Sequence, residues 1–124
     1  MFSIKMDLSK ESERMLKLLP EKFKKGLNKG VKNAMFFVED KAKQRVTVRT
    51  GHLRRSLKVD VREESGGVAG RVGSDVVYAA IQEFGGVAGQ GAIIKKQEYI
   101  TKSIKENDLK IRDLITKAID EETK

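Results

Sequence analysis

Cysteine and tryptophan are absent from this 124-residue chain, and histidine and proline occur once each. Without cysteine there is no thiol nucleophile, no disulfide and no cysteine-ligated zinc. His52 alone cannot build a multi-histidine metal site, and no Asp or Glu stands beside it in sequence to orient it. It reads as an exposed residue in a tight turn, and no cofactor or metal is expected. Long apolar runs are missing as well. No segment approaches the roughly eighteen apolar residues of a membrane span, and Met1 to Asp7 lacks the apolar run and cleavage-like site of a signal peptide. Membrane partners are not expected. Lack of cysteine suits a reducing cytosol.

Charge is what the chain has in quantity: 35% of its residues are charged, and the formal net charge is +8. Residues 1–50 carry thirteen Lys and Arg against six Asp and Glu, residues 51–95 six against five, and residues 96–124 seven against seven. The surplus therefore belongs to the N-terminal segment, and it attracts an acidic protein surface, nucleic acid or anionic lipid. The length suits one domain, taken here as residues 1–124.

Pro20 and Glu21 suit the start of a long helix, proline losing no useful donor there and glutamate facing the positive end of the dipole. Leu19, Phe23, Leu27, Val31, Met35 or Ala34, Val38 and Ala42 then recur every three or four residues, to near Arg45. A shorter helix from about Ser9 to Leu18 is predicted before it. Gly26 and Gly30 each weaken the long helix by about 1 kcal/mol relative to alanine. They either admit a close-packed backbone or mark a kink near Asn28. Lys22, Lys25, Lys29, Lys32 and Lys43 cluster on the opposite face with Phe36 among them. Lysine faces are usually solvated, but an aromatic within one suits an interface, so Lys25, Lys29, Lys32 and Phe36 are candidate contact residues.

Arg49-Thr50-Gly51-His52-Leu53-Arg54-Arg55-Ser56 reads as a joint from helix to strand. Gly51 is expected at positive φ, Thr50 satisfies nearby backbone groups, and Leu53 tucks into the core. Leu57, Val59 and Val61 alternate with Lys58, Asp60 and Arg62, a half-buried strand. Glu63 to Gly67 turns the chain, and Val68 to Gly73 returns as its hairpin partner. Ser74-Asp75 breaks the hairpin and suits a helix cap. Val77, Ile81 and Phe84 then fit one face of a short helix flanked by Tyr78, with a strand over 76–78 as the competing reading. Gly85-Gly86 ends it, and Gly85 to Gly91 reads as a mobile loop, extending to about residue 92. No Gly-Lys-Ser/Thr closes that stretch, so it is no phosphate loop. Ile100, Ile104, Ile111, Leu114, Ile115 and Ala118 mark a last helix from about Gln97 to Glu121, weakest at Asn107-Asp108.

Three short motifs now stand in order: Arg-Thr-Gly-x-Leu-Arg-x-Ser at 49–56, Val-Gly-Ser-Asp at 72–75, and Tyr78-Ala79 followed by Glu83-Phe84-Gly85. Together they resemble a family of tail components of long-tailed double-stranded-DNA phages and prophages, small neck or tail-completion proteins. The resemblance spans nearly the whole chain. One departure is that Gln97-Glu98-Tyr99-Ile100 stands where members often carry Pro-Phe-Leu; the aromatic–aliphatic pair is kept. The resemblance implies a structural subunit, not an enzyme, in a homo-oligomeric ring, expected to be a hexamer. That ring would contact neighbouring neck or tail proteins, assembling in the bacterial cytoplasm and residing in the virion neck or tail. Arg54, Arg55 and Glu83 join the candidate interface, while Thr50, Gly51, Leu53, Ser56, Tyr78, Phe84 and Gly85 are the structural motif residues.

The expected fold is α+β, with a long N-terminal helix and a C-terminal helix packed on one face of a small antiparallel sheet. A small basic nucleic-acid-binding protein is the alternative. It is disfavoured by the scarcity of aromatics for base stacking and the lack of a helix-turn-helix or RNA-binding signature. A hydrolase built on Asp60, Glu63 or Glu64 is poorer still, since carboxylates alternating on a strand and turn are ordinarily solvated.

Overall fold

Two halves of the chain distant in sequence meet on one long helix. The computed structural model describes residues 2–7, 21–46, 51–64, 67–76, 78–87, 91 and 93–123. In chain order the elements are β1 (Phe2–Asp7), α1 (Glu21–Arg45), α2 (Gly51–Ser56), β2 (Lys58–Glu64), β3 (Gly67–Ser74), α3 (Ala79–Phe84), β4 (Gly86–Val87), β5 (Ile93–Ile94), α4 (Tyr99–Glu106) and α5 (Asp108–Thr123). The helix expected over residues 9–18 lies outside the described residues, as do Thr50, Val77 and the turn at 65–66.

The α+β expectation holds. A three-stranded antiparallel sheet has the order β1-β3-β2. In the β2–β3 hairpin Val59 stands opposite Val72, and on the other side of β3 Ile4 stands opposite the same Val72. One sheet face is therefore apolar, and α1 lies against β2 and β3. The α1 stripe forms as its spacing dictates: Val31, Ala34, Met35, Val38 and Ala42 are all fully buried. Burying such a side chain is worth about 1.5–3 kcal/mol, which outweighs the propensity cost of the two glycines. Strand β1 was not foreseen, although Phe2, Ile4 and Met6 alternate with polar residues.

The last helix breaks at Asn107 into α4 and α5, at the point of weakness the sequence shows. The two lie chiefly along α1 rather than directly on the sheet. The reason is the pair of glycines. A Cβ on Gly26 would stand 2.7 Å from the Cα of Ile119, and one on Gly30 2.7 Å from the Cα of Ile115. Only hydrogen fits in that seam, so the glycines serve close approach and α1 runs on unbroken. Arg45 pairs with Glu106, closing the far end of the contact.

The Gly51 expectation is overturned. Gly51 is not among the positive-φ glycines, which are Gly85, Gly86 and Gly91. It opens the helical turn α2 instead, so the chain leaves α1 through a short helix rather than a direct reversal. The Ser74-Asp75 cap is overturned too: α3 starts only at Ala79 and has no side-chain cap. Its first amide is held by the turn bond from Ala79 N to Val76 O, 3.0 Å. The stretch read as a loop from Gly85 contains paired backbone, because Gly86 pairs with Ile94 and Val87 with Ile93 in a two-stranded ribbon. Residues 88–90 and 92 lie outside the described residues.

Candidate functional site

The first motif and the second are one structure. Leu53 is fully buried, which anchors α2 in the core. The Ser56 hydroxyl donates to Leu53 O at 2.7 Å, and the Ser74 hydroxyl accepts from Val76 N at 3.0 Å. The two hydroxyl oxygens stand 2.5 Å apart. Since the Ser56 proton is committed to Leu53, Ser74 must donate to Ser56. A continuous chain therefore runs from the Val76 amide through two hydroxyls to the Leu53 carbonyl. Arg54 Nη2 donates to Val46 O at 2.7 Å, fastening α2 to the end of α1. Arg54, read as an interface residue, thus has its guanidinium engaged within the fold, while Arg55 is exposed.

His52, Ser56, Asp75 and Tyr78 line one cleft. The residue types would suit a nucleophile and base, but the bonds run elsewhere. Ser56 is spent on the hydroxyl chain, and Asp75 accepts from Lys58 Nζ at 2.7 Å. That hydrogen bond, and then the charge of Lys58, holds Asp75 below its ordinary 3.8. Among the described residues, no group of three or more His, Asp or Glu is placed to hold a metal ion.

The third motif braces α3 to α4. Glu83, read as an interface residue, is fully buried. Its carboxylate accepts from Ile100 N at 2.9 Å, Thr101 N at 2.8 Å and Thr101 Oγ1 at 2.6 Å. These amides belong to the first turn of α4, where orphan donors and the helix dipole favour a negative charge. The N-cap residue itself, Glu98, is left-handed (φ 48°) and makes no side-chain cap bond; Glu83 supplies the cap from another element. Tyr99 replies in the other direction, donating from its hydroxyl to Ala79 O at 2.9 Å. Burial, reinforced by the Glu83 carboxylate, pushes the Tyr99 phenol up. Gln97 N to Gln82 O at 2.8 Å and Glu98 N to Glu83 O at 3.1 Å complete the brace.

With Ala79 and Glu83 turned inward, α3 presents Phe84 to solvent, 61% exposed, rather than on the buried face its spacing with Ile81 suggested. Gly85 then ends the helix at φ 75°. Val87 and Ile93 face each other across the ribbon, 69% and 83% exposed. Gly86, on the alternate face, lies toward Ile81. The ribbon is thus seated on α3 by one face and offers an apolar pair on the other. Val87 and Ile93 were missed in the sequence; the signal was branched apolar residues standing among glycines and before Lys95-Lys96, where a core segment has no reason to be.

On α1, Phe36 is 50% exposed and Lys25, Lys29 and Lys32 are exposed, as the helical register requires. Lys25 and Lys29 lie beside Glu121 and Glu122 near the end of α5, at 3.6–3.9 Å. Lys43 pairs with Glu39 at 3.3 Å. Tyr78 is half-buried at the start of α3.

The family model described as "Bacteriophage HK97-gp10, putative tail-component" matches residues 9–85. That span holds all three motifs and stops where the ribbon begins. No curated protein matches the chain, and no solved structure does.

Proposed function

Because the chain belongs to the HK97-gp10-like family of phage tail components, we propose that it is a structural subunit of a ring at the head–tail junction or the top of the tail. The ring is a homo-oligomer, with six copies as the working number, and it abuts neighbouring neck or tail proteins. It assembles in the bacterial cytoplasm and ends in the virion. No catalytic step is part of this reading.

The observation that carries it is the apolar triad Phe84, Val87 and Ile93, each more than half exposed. Exposed apolar side chains are ordinary singly, but the Val87–Ile93 pair on one face of the ribbon, with Phe84 on the helix that supports it, is a grouping of the kind that marks a contact. The brace between α3 and α4 fixes the helix on which the ribbon is seated, which lowers the ordering entropy that opposes docking. A patch of this kind, met by a different surface of the next copy, makes a head-to-tail contact, which closes into a ring when the rotation allows.

The test is Val87→Ser combined with Ile93→Ser, followed by native mass spectrometry, sedimentation velocity and completion of infectious particles. Ring formation and particle completion should be lost while the melting temperature stays within a few degrees of wild type. Wild-type assembly by the folded variant would overturn the reading.

A further inference from the structure

The N-terminal half of α1 forms one wall of a shallow cleft whose lining includes no residue of the ribbon. Lys22, Lys24, Lys25, Lys29 and Lys32 line it, with Asn28 between them. Three glutamates border the same cleft: Glu21, Glu63 and Glu122. We propose that this cleft binds the phosphate backbone of double-stranded DNA without sequence preference, and that the acidic end of α5 is a built-in competitor for the same lysines.

Charge is the first argument. Five of the thirteen Lys and Arg of residues 1–50 line this cleft, all within eleven residues of one helix, and they outnumber its three glutamates. From Lys22 to Lys32 the helix rises about 15 Å, so the ammonium groups follow a line long enough to meet several phosphates of one strand. Residue type is the second argument. Protein interfaces are depleted in lysine and enriched in arginine and aromatics. Here all five cations are lysines on flexible stems, and Phe36 lies beyond them. Compact, strongly hydrated charges without planar forks suit a backbone read only as charge. An acidic protein partner is the less favoured occupant for that reason.

The geometry of the internal pairs is the third argument. Lys25 stands 3.8 Å from Glu122, and Lys29 stands 3.9 Å from Glu121 and 3.6 Å from Glu122. Lys24 stands 3.7 Å from Glu21. These are long ion pairs on exposed or partly exposed side chains, the kind that contribute little. Two or three carboxylates cannot hold the lysines against a duplex carrying one negative charge per about 1.7 Å. They can weaken the contact, however, because each pair must be given up before a phosphate takes its place.

The test is fluorescence anisotropy of a 30-base-pair duplex of arbitrary sequence with the full chain, from 50 to 200 mM salt. Glu121→Gln with Glu122→Gln should tighten binding about tenfold at 50 mM salt, the worth of roughly one more phosphate contact. Lys22→Gln with Lys32→Gln, at positions for which no ion pair is seen among the described residues, should weaken it by about a hundredfold and flatten the salt dependence. Both variants should melt as wild type does. Three results would each overturn the proposal: no binding at 50 mM salt, affinity indifferent to Lys22 and Lys32, or poly-glutamate competing as well as duplex at equal charge. The last would assign the cleft to an acidic protein surface. None of these outcomes bears on ring formation, which the ribbon variant tests separately.

Discussion

At Glu83 one side chain satisfies two backbone amides and a hydroxyl of the turn that opens α4. Glu83→Ala leaves those donors inside the protein without an acceptor, and should cost about 2–4 kcal/mol, read as a shift in the urea midpoint at constant slope. Glu83→Gln should cost less, because one oxygen still accepts. A midpoint unchanged in the alanine variant would mean water replaces the carboxylate. Gly51 gives the opposite expectation. A Cβ there meets only Arg55 Nη1 at an ordinary 3.4 Å, and its φ is not positive. Gly51→Ala should therefore stay within about 0.5 kcal/mol of wild type in a thermal melt. The sequence suggested glutamate on the surface and glycine under strain, since those are the common settings of each type. Neither rule senses what stands opposite the residue: here, the free amides of a helix more than fifteen positions away. Asp75 shows the same limit on a milder scale. Lys58 depresses it, so the pair contributes above the ordinary carboxylate range and its contribution is lost as the pH falls through the lowered value. Lys58→Gln should return the Asp75 titration, followed by NMR, toward its ordinary 3.8.

Elements with a local signature were legible, and those defined by a distant partner were not. Helix α1 has its buried stripe, the β2–β3 hairpin its alternation and turn, and the α4–α5 break its Asn-Asp step. Each is written within a few residues. Strand β1 depends on β3, more than sixty positions away, and the β4–β5 ribbon on two-residue segments too short to show a period. The candidate site divides the same way. Phe36 and the lysines were placed by helical angle alone, whereas Val87 and Ile93 matter through their exposure, which no spacing encodes. The glycine seam between α1 and α5 is an intermediate case: its spacing was visible, its partner was not. Gly30→Ala raises helix propensity by about 1 kcal/mol, yet its Cβ would stand 2.7 Å from the Cα of Ile115. Backbone cannot swing aside as a side chain can. The packing loss should win, for a net destabilisation of about 1–3 kcal/mol in denaturant unfolding. A stabilised Gly30→Ala would show that α5 is free to slide outward.

As a whole, the molecule is a sheet, a long helix and a pair of shorter helices stacked in that order, with a cluster of five lysines on the N-terminal half of α1. No described helix is long and apolar enough to cross a membrane. The seam also bears on how the chain is made. Gly26 and Gly30 emerge from the ribosome about ninety residues before Ile115 and Ile119, which cover them. Until then the glycine flank of α1 lacks its α5 partner, while the sheet and α2 are already available to the helix. Folding during synthesis should therefore halt at a partly docked α1 and finish only after translation of α5. In pulse proteolysis of stalled nascent chains, protection of α1 should appear as a late, single step once residue 119 has cleared the exit tunnel.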